Sequence, residues 1–192
     1  MLQELSDSLF MITFQTKQNL PYLMWIILIP WACFFITKAS NNRLLVLGII
    51  PRHLIGLPGI LLCPFLHADF NHLFFNSIPL LVLSDFLLIN GLHYFLLSSL
   101  IIVLLSGIFV WIFGKPGVHV GASGLITGYW ALLVSNSYLA ANATSIILGL
   151  VSLYYFSGIF FGILPLKRGV SWEGHLFGLI AGLTTSVLLG QV

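Results

Sequence analysis

Charge is what this chain has least of. Seven Lys and Arg and five Asp and Glu among 192 residues make 6% charged side chains, against about 25% in ordinary soluble domains. With 59% hydrophobic residues and a mean hydropathy of +1.08, there is too little polar surface to cover a water-soluble globule. The net charge of +2 is too small for an electrostatic nucleic-acid surface, so no nucleic acid is expected as a partner. Cysteine is scarce too: Cys33 and Cys63 make no disulfide framework and have no neighbouring pattern of metal ligands. Residues 1 to 21 carry Glu4, Asp7 and Lys17 but no basic start, apolar run and small-residue cleavage site in succession, so no cleaved signal peptide is expected. No long-period repeat or low-complexity tract is visible.

What the chain does have is long apolar runs. A helix needs about 20 mostly apolar residues to cross the hydrocarbon, and six stretches qualify: roughly 22 to 38, 72 to 91, 95 to 113, 123 to 140, 144 to 162 and 174 to 190. The expected fold is therefore all-α, a polytopic membrane protein built as a six-helix bundle over residues 22 to 192, preceded by a polar segment over 1 to 21. The connection from Ala39 to Asn71 holds two apolar runs too short to span, Leu44 to Ile50 and Leu54 to Cys63. Pro51 separates them, and Gly56, Pro58, Gly59 and Pro64 deny the second a regular helix. This first loop is expected to lie partly in the membrane, with Arg43 and Arg52 reaching headgroups.

Consecutive spans alternate in direction, so the starts of the second, fourth and sixth fall on one face. His72 and Asn76 begin the second, Ser123 the fourth and His175 the sixth. Polar side chains inside a bilayer persist where they face a cavity or each other, and chance would scatter four of them over both faces. Lys38, Arg43, Arg52, Lys115, Lys167 and Arg168 lie in loops on that same face, with Lys17 opposite. By the positive-inside rule alone, the face would be cytoplasmic.

Serine is a poor nucleophile until a base takes its proton, and histidine is the usual base. Gly124 and Gly128 on the fourth span, and Gly178 and Gly182 on the sixth, are small-residue stripes of the kind that let helix backbones approach. They give Ser123 and His175 the means to meet. A third, acidic member is not evident: Glu173 points away from His175 on a helix, Asp85 lies near the far end of its span, and Asp69 is in a loop. A Ser-His dyad is the expectation. Its oxyanion donors are the backbone N–H of Ser123, free at a helix start, and the side chains of His72 and Asn76, four apart on one helix face. His67 and His119 read as loop residues. No HExxH-type pair exists, and neither a metal nor a cofactor is expected.

Together these residues resemble the rhomboid family of intramembrane serine proteases. Gly121-Ala122-Ser123-Gly124 matches the family's GxSG, His175 with Gly178 and Gly182 its HxxGxxxG, and His67, His72 and Asn76 its HxxxxHxxxN. The resemblance covers all six spans, and the short chain looks like the minimal bacterial GlpG type. It implies Ser123 as nucleophile, His175 as base, and His72, Asn76 and the Ser123 amide as oxyanion hole. It further implies transmembrane proteins as substrates, membrane lipid as surroundings, and a bacterial inner-membrane location with the active face outside, against the Lys and Arg count. Three positions depart from the pattern. Thr127 stands where an aromatic residue one turn after the nucleophile packs on the histidine, the Trp-Arg pair of the first loop is Pro51-Arg52, and Asp85 is the nearest counterpart of the acidic residue in the GxxxExxxG segment. The alternatives are a catalytically silent rhomboid-like protein that binds transmembrane helices, and a small transporter. The latter needs a matching polar set at the starts of the third and fifth spans, which the sequence does not offer.

Overall fold

The computed structural model describes residues 2–140, 142–164 and 171–190. Its helices follow in the order α1 (Leu2–Ala39), a short α2 (Gly59–Leu62), α3 (Phe70–Leu88), α4 (Leu92–Phe113), α5 (Ser123–Leu139), α6 (Ala143–Phe156) and α7 (Trp172–Leu189). Among the described residues there is no strand, and an isolated antiparallel bridge pairs Ile49 with His119. Each expected span falls on helical residues, the fifth on α6 and the 3-10 turn that follows it. Four segments are long and apolar enough to cross a membrane: α1, α3, α4, and α6 with the 3-10 turn Ser157–Ile163 that continues it.

The helix ends follow local chemistry. Asp69 caps α3 by accepting from the backbone N–H of His72 at 2.9 Å, Asn142 caps α6 through Ser145 N–H at 2.8 Å, and Ser171 caps α7 through Gly174 N–H at 3.3 Å. Each supplies an acceptor to a first-turn donor that has no partner within its helix. Between α3 and α4 the chain reverses at Gly91, whose φ of +96° is open to glycine at little cost.

α1 is longer than expected, running unbroken through residues 2 to 21 of the polar segment. Its second half lies along α3, where Trp31 Nε1 donates to Ser77 Oγ at 3.0 Å. Thr16 Oγ1 and Asn19 Nδ2 donate to the two oxygens of Asp85 at 2.7 and 2.8 Å. Asp85, a carboxylate in an apolar helix, is thus hydrogen-bonded by two donors from α1, which is how such a group is tolerated away from water.

The first loop folds into short helical turns, Arg43–Leu47, Leu54–Gly56, α2 and Cys63–Phe65, with Leu54, Ile55, Leu61 and Phe65 exposed. Arg52 departs from expectation. Instead of reaching for headgroups alone, its Nη1 donates to the carbonyls of Ile112 and Gly114 at 3.0 and 2.9 Å, where the end of α4 leaves acceptors unpaired. Trp111 Nε1 donates to His53 O at 3.0 Å in the same seam. The loop is thereby fixed to the end of α4.

α5 is the centre of the bundle. Residues Ile126 through Leu133 are all buried, the signature of a helix enclosed on every side. Against it lies α7, at backbone distance. A methyl at Gly124 would lie 3.0 Å from the carbonyl oxygen of Gly174, one at Gly128 3.2 Å from that of Gly178, and ones at Gly178 and Gly182 would overlap the carbonyl oxygens of Gly124 and Gly128. Gly178→Ala should therefore force α5 and α7 apart and lower stability in detergent by about 1–3 kcal/mol. Gly158→Ala, where a methyl meets nothing within 4 Å, should leave the thermal unfolding midpoint near that of the parent. Equal midpoints for both variants would show that the contact is not tight.

Candidate active site

Ser123 is the first residue of α5, a position set by the turn before it. Gly121 has φ +116°, and its N–H donates to Cys63 O at 2.9 Å, which ties the helix start to the first loop. A methyl at Gly121 would lie 2.5 Å from His72 Cε1 and Nε2, so glycine is required here for both its backbone angle and its lack of a side chain. The His72 ring consequently rests on the turn that presents Ser123. As an N-terminal residue of α5, Ser123 has a backbone N–H without an intrahelical partner.

Asn76, Ser123 and His175, from three different helices, line one cavity of about 600 Å³, with Phe75, Ile126 and Gly162 also in its wall. His72 is not part of that lining; its ring lies against Gly121 and His67. Three of the four predicted residues thus share one hollow, and the fourth, His72, packs on the turn that precedes Ser123. A smaller cavity of about 40 Å³ lies behind the helix start, bordered by Ser106, His119, Ser123 and Ser171, a volume that accommodates a water molecule.

His175 Nδ1 lies 2.8 Å from the carbonyl oxygen of Gly162. A carbonyl only accepts, so Nδ1 carries the proton and Nε2 keeps its lone pair. Among the described residues no hydrogen bond joins Ser123 to His175. Thr127 is fully buried, and its Oγ1 donates to the Ser123 carbonyl at 2.8 Å, so it serves the backbone of its own helix. None of the three carboxylates considered from sequence is bonded to His175. Asp69 caps α3, Asp85 is engaged by α1, and Glu173, buried in the first turn of α7, has an oxygen 3.8 Å from Lys115 Nζ.

Two residues read from spacing as loop histidines prove integral. His67 is fully buried, and its Nε2 accepts from Asn76 Nδ2 at 3.1 Å. One amide hydrogen of Asn76 is thereby fixed, and the other stays available to the cavity. His67 and His72 stack edge to face with centroids 5.0 Å apart. His119 donates from Nε2 to Lys115 O at 2.9 Å and accepts at Nδ1 from the Ser171 hydroxyl at 2.7 Å, joining the start of α5 to the cap of α7. Only the HxxxxHxxxN spacing signalled His67. Nothing signalled the Ser171 contact or Gly162, which acts through its main chain. The segment from Ile163 to Ser171, expected as a movable cap with Pro165 and Gly169, lies largely outside the described residues.

An all-helical, multi-pass membrane protein with a largely apolar hollow that carries Asn76, Ser123 and His175 is the class these features define. The family model of the Rhomboid domain matches residues 56–192. Uncharacterized proteins of Mycobacterium tuberculosis (strain H37Rv) and Mycobacterium bovis are each 40% identical over 163 residues, covering 80% of this chain and 68% of theirs. An uncharacterized protein of Mycobacterium leprae is 36% identical over 140 residues, 68% of this chain and 55% of its own. The chain belongs to the rhomboid family.

Burial, then the neighbouring His72, pushes His67 from the ordinary 6.5 down to about 4. The unfolded chain therefore binds more protons between those values. The stability His67 contributes is complete above about pH 6.5 and is lost as the pH falls towards about 4. Protonation of Nε2 would also turn it into a donor facing the Asn76 amide. The thermal midpoint in detergent should fall over this range, and His67→Gln, which keeps an acceptor without titrating, should flatten the fall. An identical slope in that variant would assign the pH dependence to other groups.

Proposed function

We propose that the chain is an intramembrane serine endopeptidase of the bacterial GlpG type, a six-span bundle over residues 22 to 192 that hydrolyses peptide bonds in or near transmembrane segments of other membrane proteins. The observation that carries this reading is the single cavity lined by Asn76, Ser123 and His175 from three helices. In the proposed chemistry Ser123 Oγ attacks the scissile carbonyl while His175 Nε2 takes the hydroxyl proton. The negative oxygen of the tetrahedral intermediate is received by the Ser123 N–H, the Asn76 amide and the His72 ring. The C–N bond then breaks, His175 returns the proton to the departing amine, and a water molecule hydrolyses the Ser123 ester by the same base. No cofactor takes part.

A transmembrane helix hides its carbonyls in hydrogen bonds, so a substrate must unwind locally to be attacked. Helix-breaking residues at the cut site favour that. Ser123→Ala and His175→Ala should each abolish cleavage of a transmembrane reporter in proteoliposomes while the protein stays folded, and a fluorophosphonate should label the parent and spare Ser123→Ala. Reporter cleavage undiminished in either variant would remove the dyad, and client binding without labelling would favour the silent helix-binding alternative.

The reading includes an active face outside a bacterial inner membrane and an N-terminus in the cytoplasm. Three of the basic residues that argue the opposite have structural partners. Lys38 donates to Ala68 O at 2.8 Å, Arg52 to the end of α4, and Lys115 pairs with Glu173 and lies 5.3 Å over the Trp172 ring. Each of these three residues thus has a structural role in the folded protein besides any part it plays in setting topology. In a background lacking Cys33 and Cys63, Lys115→Cys should react with a membrane-impermeant maleimide in intact cells. Reaction only after lysis would reverse the orientation.

A further inference from the structure

We infer that the main-chain carbonyl of Gly162 is the positioning group for His175, doing by hydrogen bonding what an acidic third residue or a stacked aromatic ring does elsewhere. The inference rests on the proposed roles of Ser123 and His175. An imidazole that is to accept the serine proton needs its Nε2 lone pair free, its ring held in one plane, and its other nitrogen protonated. In this chain neither of the usual devices reaches the ring. The three carboxylates considered from sequence are committed elsewhere, Asp69 to the cap of α3, Asp85 to Thr16 and Asn19, and Glu173 to the Lys115 side of α7, and Thr127 Oγ1 donates to its own helix.

The contact that does reach it comes from the 3-10 turn Ser157–Ile163, which continues α6. Gly162 O lies 2.8 Å from His175 Nδ1, and the glycine packs so closely that a methyl there would lie 2.8 Å from Nδ1, 3.0 Å from Cε1 and 3.2 Å from Cγ. The carbonyl thus fixes the tautomer, and the bare Cα lets the turn lie along the ring edge. Both features belong to the backbone, so only glycine supplies them together. A carbonyl is neutral, and it orients the imidazole while adding less stabilisation to the imidazolium than a carboxylate would.

The test has two arms, both on the full chain in detergent micelles. With ¹⁵N-histidine labelling, and His175 assigned by comparison with His175→Ala, neutral His175 should show a protonated Nδ1 and an unprotonated Nε2. A protonated Nε2, or averaging between tautomers as in free imidazole, overturns the inference. This readout needs no catalysis, so it stands whether or not the hydrolase reading does. Absence of fluorophosphonate labelling in the parent would remove that reading and leave the tautomer result intact.

In the second arm, Gly162→Ala should lower kcat about tenfold or more with KM little changed, because the base is displaced while the binding cavity remains. The tautomer signal should be lost with it. Because added bulk can disturb the turn, a second variant replaces Ile163 by its α-hydroxy acid analogue, which makes the Gly162 carbonyl an ester and a weaker acceptor. It should lower kcat in the same direction and shift the alkaline-rising limb of the pH profile. Parental kcat and pH profile in the ester variant would overturn the role of the carbonyl, whatever Gly162→Ala does.

Discussion

Everything at the active end depends on two helices lying at backbone contact. Gly124 and Gly128 on α5, with Gly174, Gly178 and Gly182 on α7, remove the side chains that would otherwise hold the axes apart. In lipid there is little hydrophobic force to drive helices together, so close packing and main-chain proximity must do it. The stripe sets the lateral distance between the helix starts that carry Ser123 and His175. The first glycine of the α5 stripe follows the serine directly and the α7 stripe begins beside the histidine, so the close contact starts at the level of those two side chains and continues down through Gly128 and Gly182.

The main chain does more here than bring helices together. A glycine with φ +116° turns the backbone at Gly121 and leaves room for the His72 ring, and a carbonyl at Gly162 holds the imidazole of His175. The first loop is stitched by the Gly121 N–H to Cys63 O bond, the Ile49 to His119 bridge and the Arg52 bonds to the end of α4. Side chains then complete what the backbone begins: His67 fixes Asn76, and His119 with Ser171 fastens the loop before α5 to the cap of α7. A group meant to act on one bond of a flexible substrate benefits from such rigid support, since small displacements of a base or donor cost rate steeply.

Helix positions were legible in the sequence because apolar runs of the right length are long and separated by Gly, Pro and Asn. The convergence of His72, Asn76, Ser123 and His175 was legible for a topological reason: alternate spans must start on the same side. Less visible was α1, which runs on through a polar segment because Thr16 and Asn19 have a buried partner in Asp85, and hydropathy cannot register a pairing between distant residues. Arg52 was misread for the same reason, its acceptors being carbonyls some sixty positions away. Gly162 was not legible at all. A residue that acts through its carbonyl leaves no trace in side-chain chemistry, and its glycine is indistinguishable in sequence from a turn former.

The two helices that carry the proposed nucleophile and base are not among those both long and apolar enough to cross a membrane, and for α5 this follows from its place in the bundle. α5 is enclosed by its neighbours, so its outer surface need not dissolve in lipid, and the residues that suit it are small or polar ones satisfied from within. Its 17 residues rise only about 26 Å at 1.5 Å each, less than the roughly 30 Å of hydrocarbon. Of the helices packed against it, α3 and α4 are longer, at 19 and 22 residues. The first residue of α5 lines the hollow with Asn76 and His175, a volume with room for several water molecules. In the proposed reaction the shortness of α5 serves two needs at once: a nucleophile placed to meet a membrane-embedded chain, and a hollow beside it with room for the water that hydrolysis consumes.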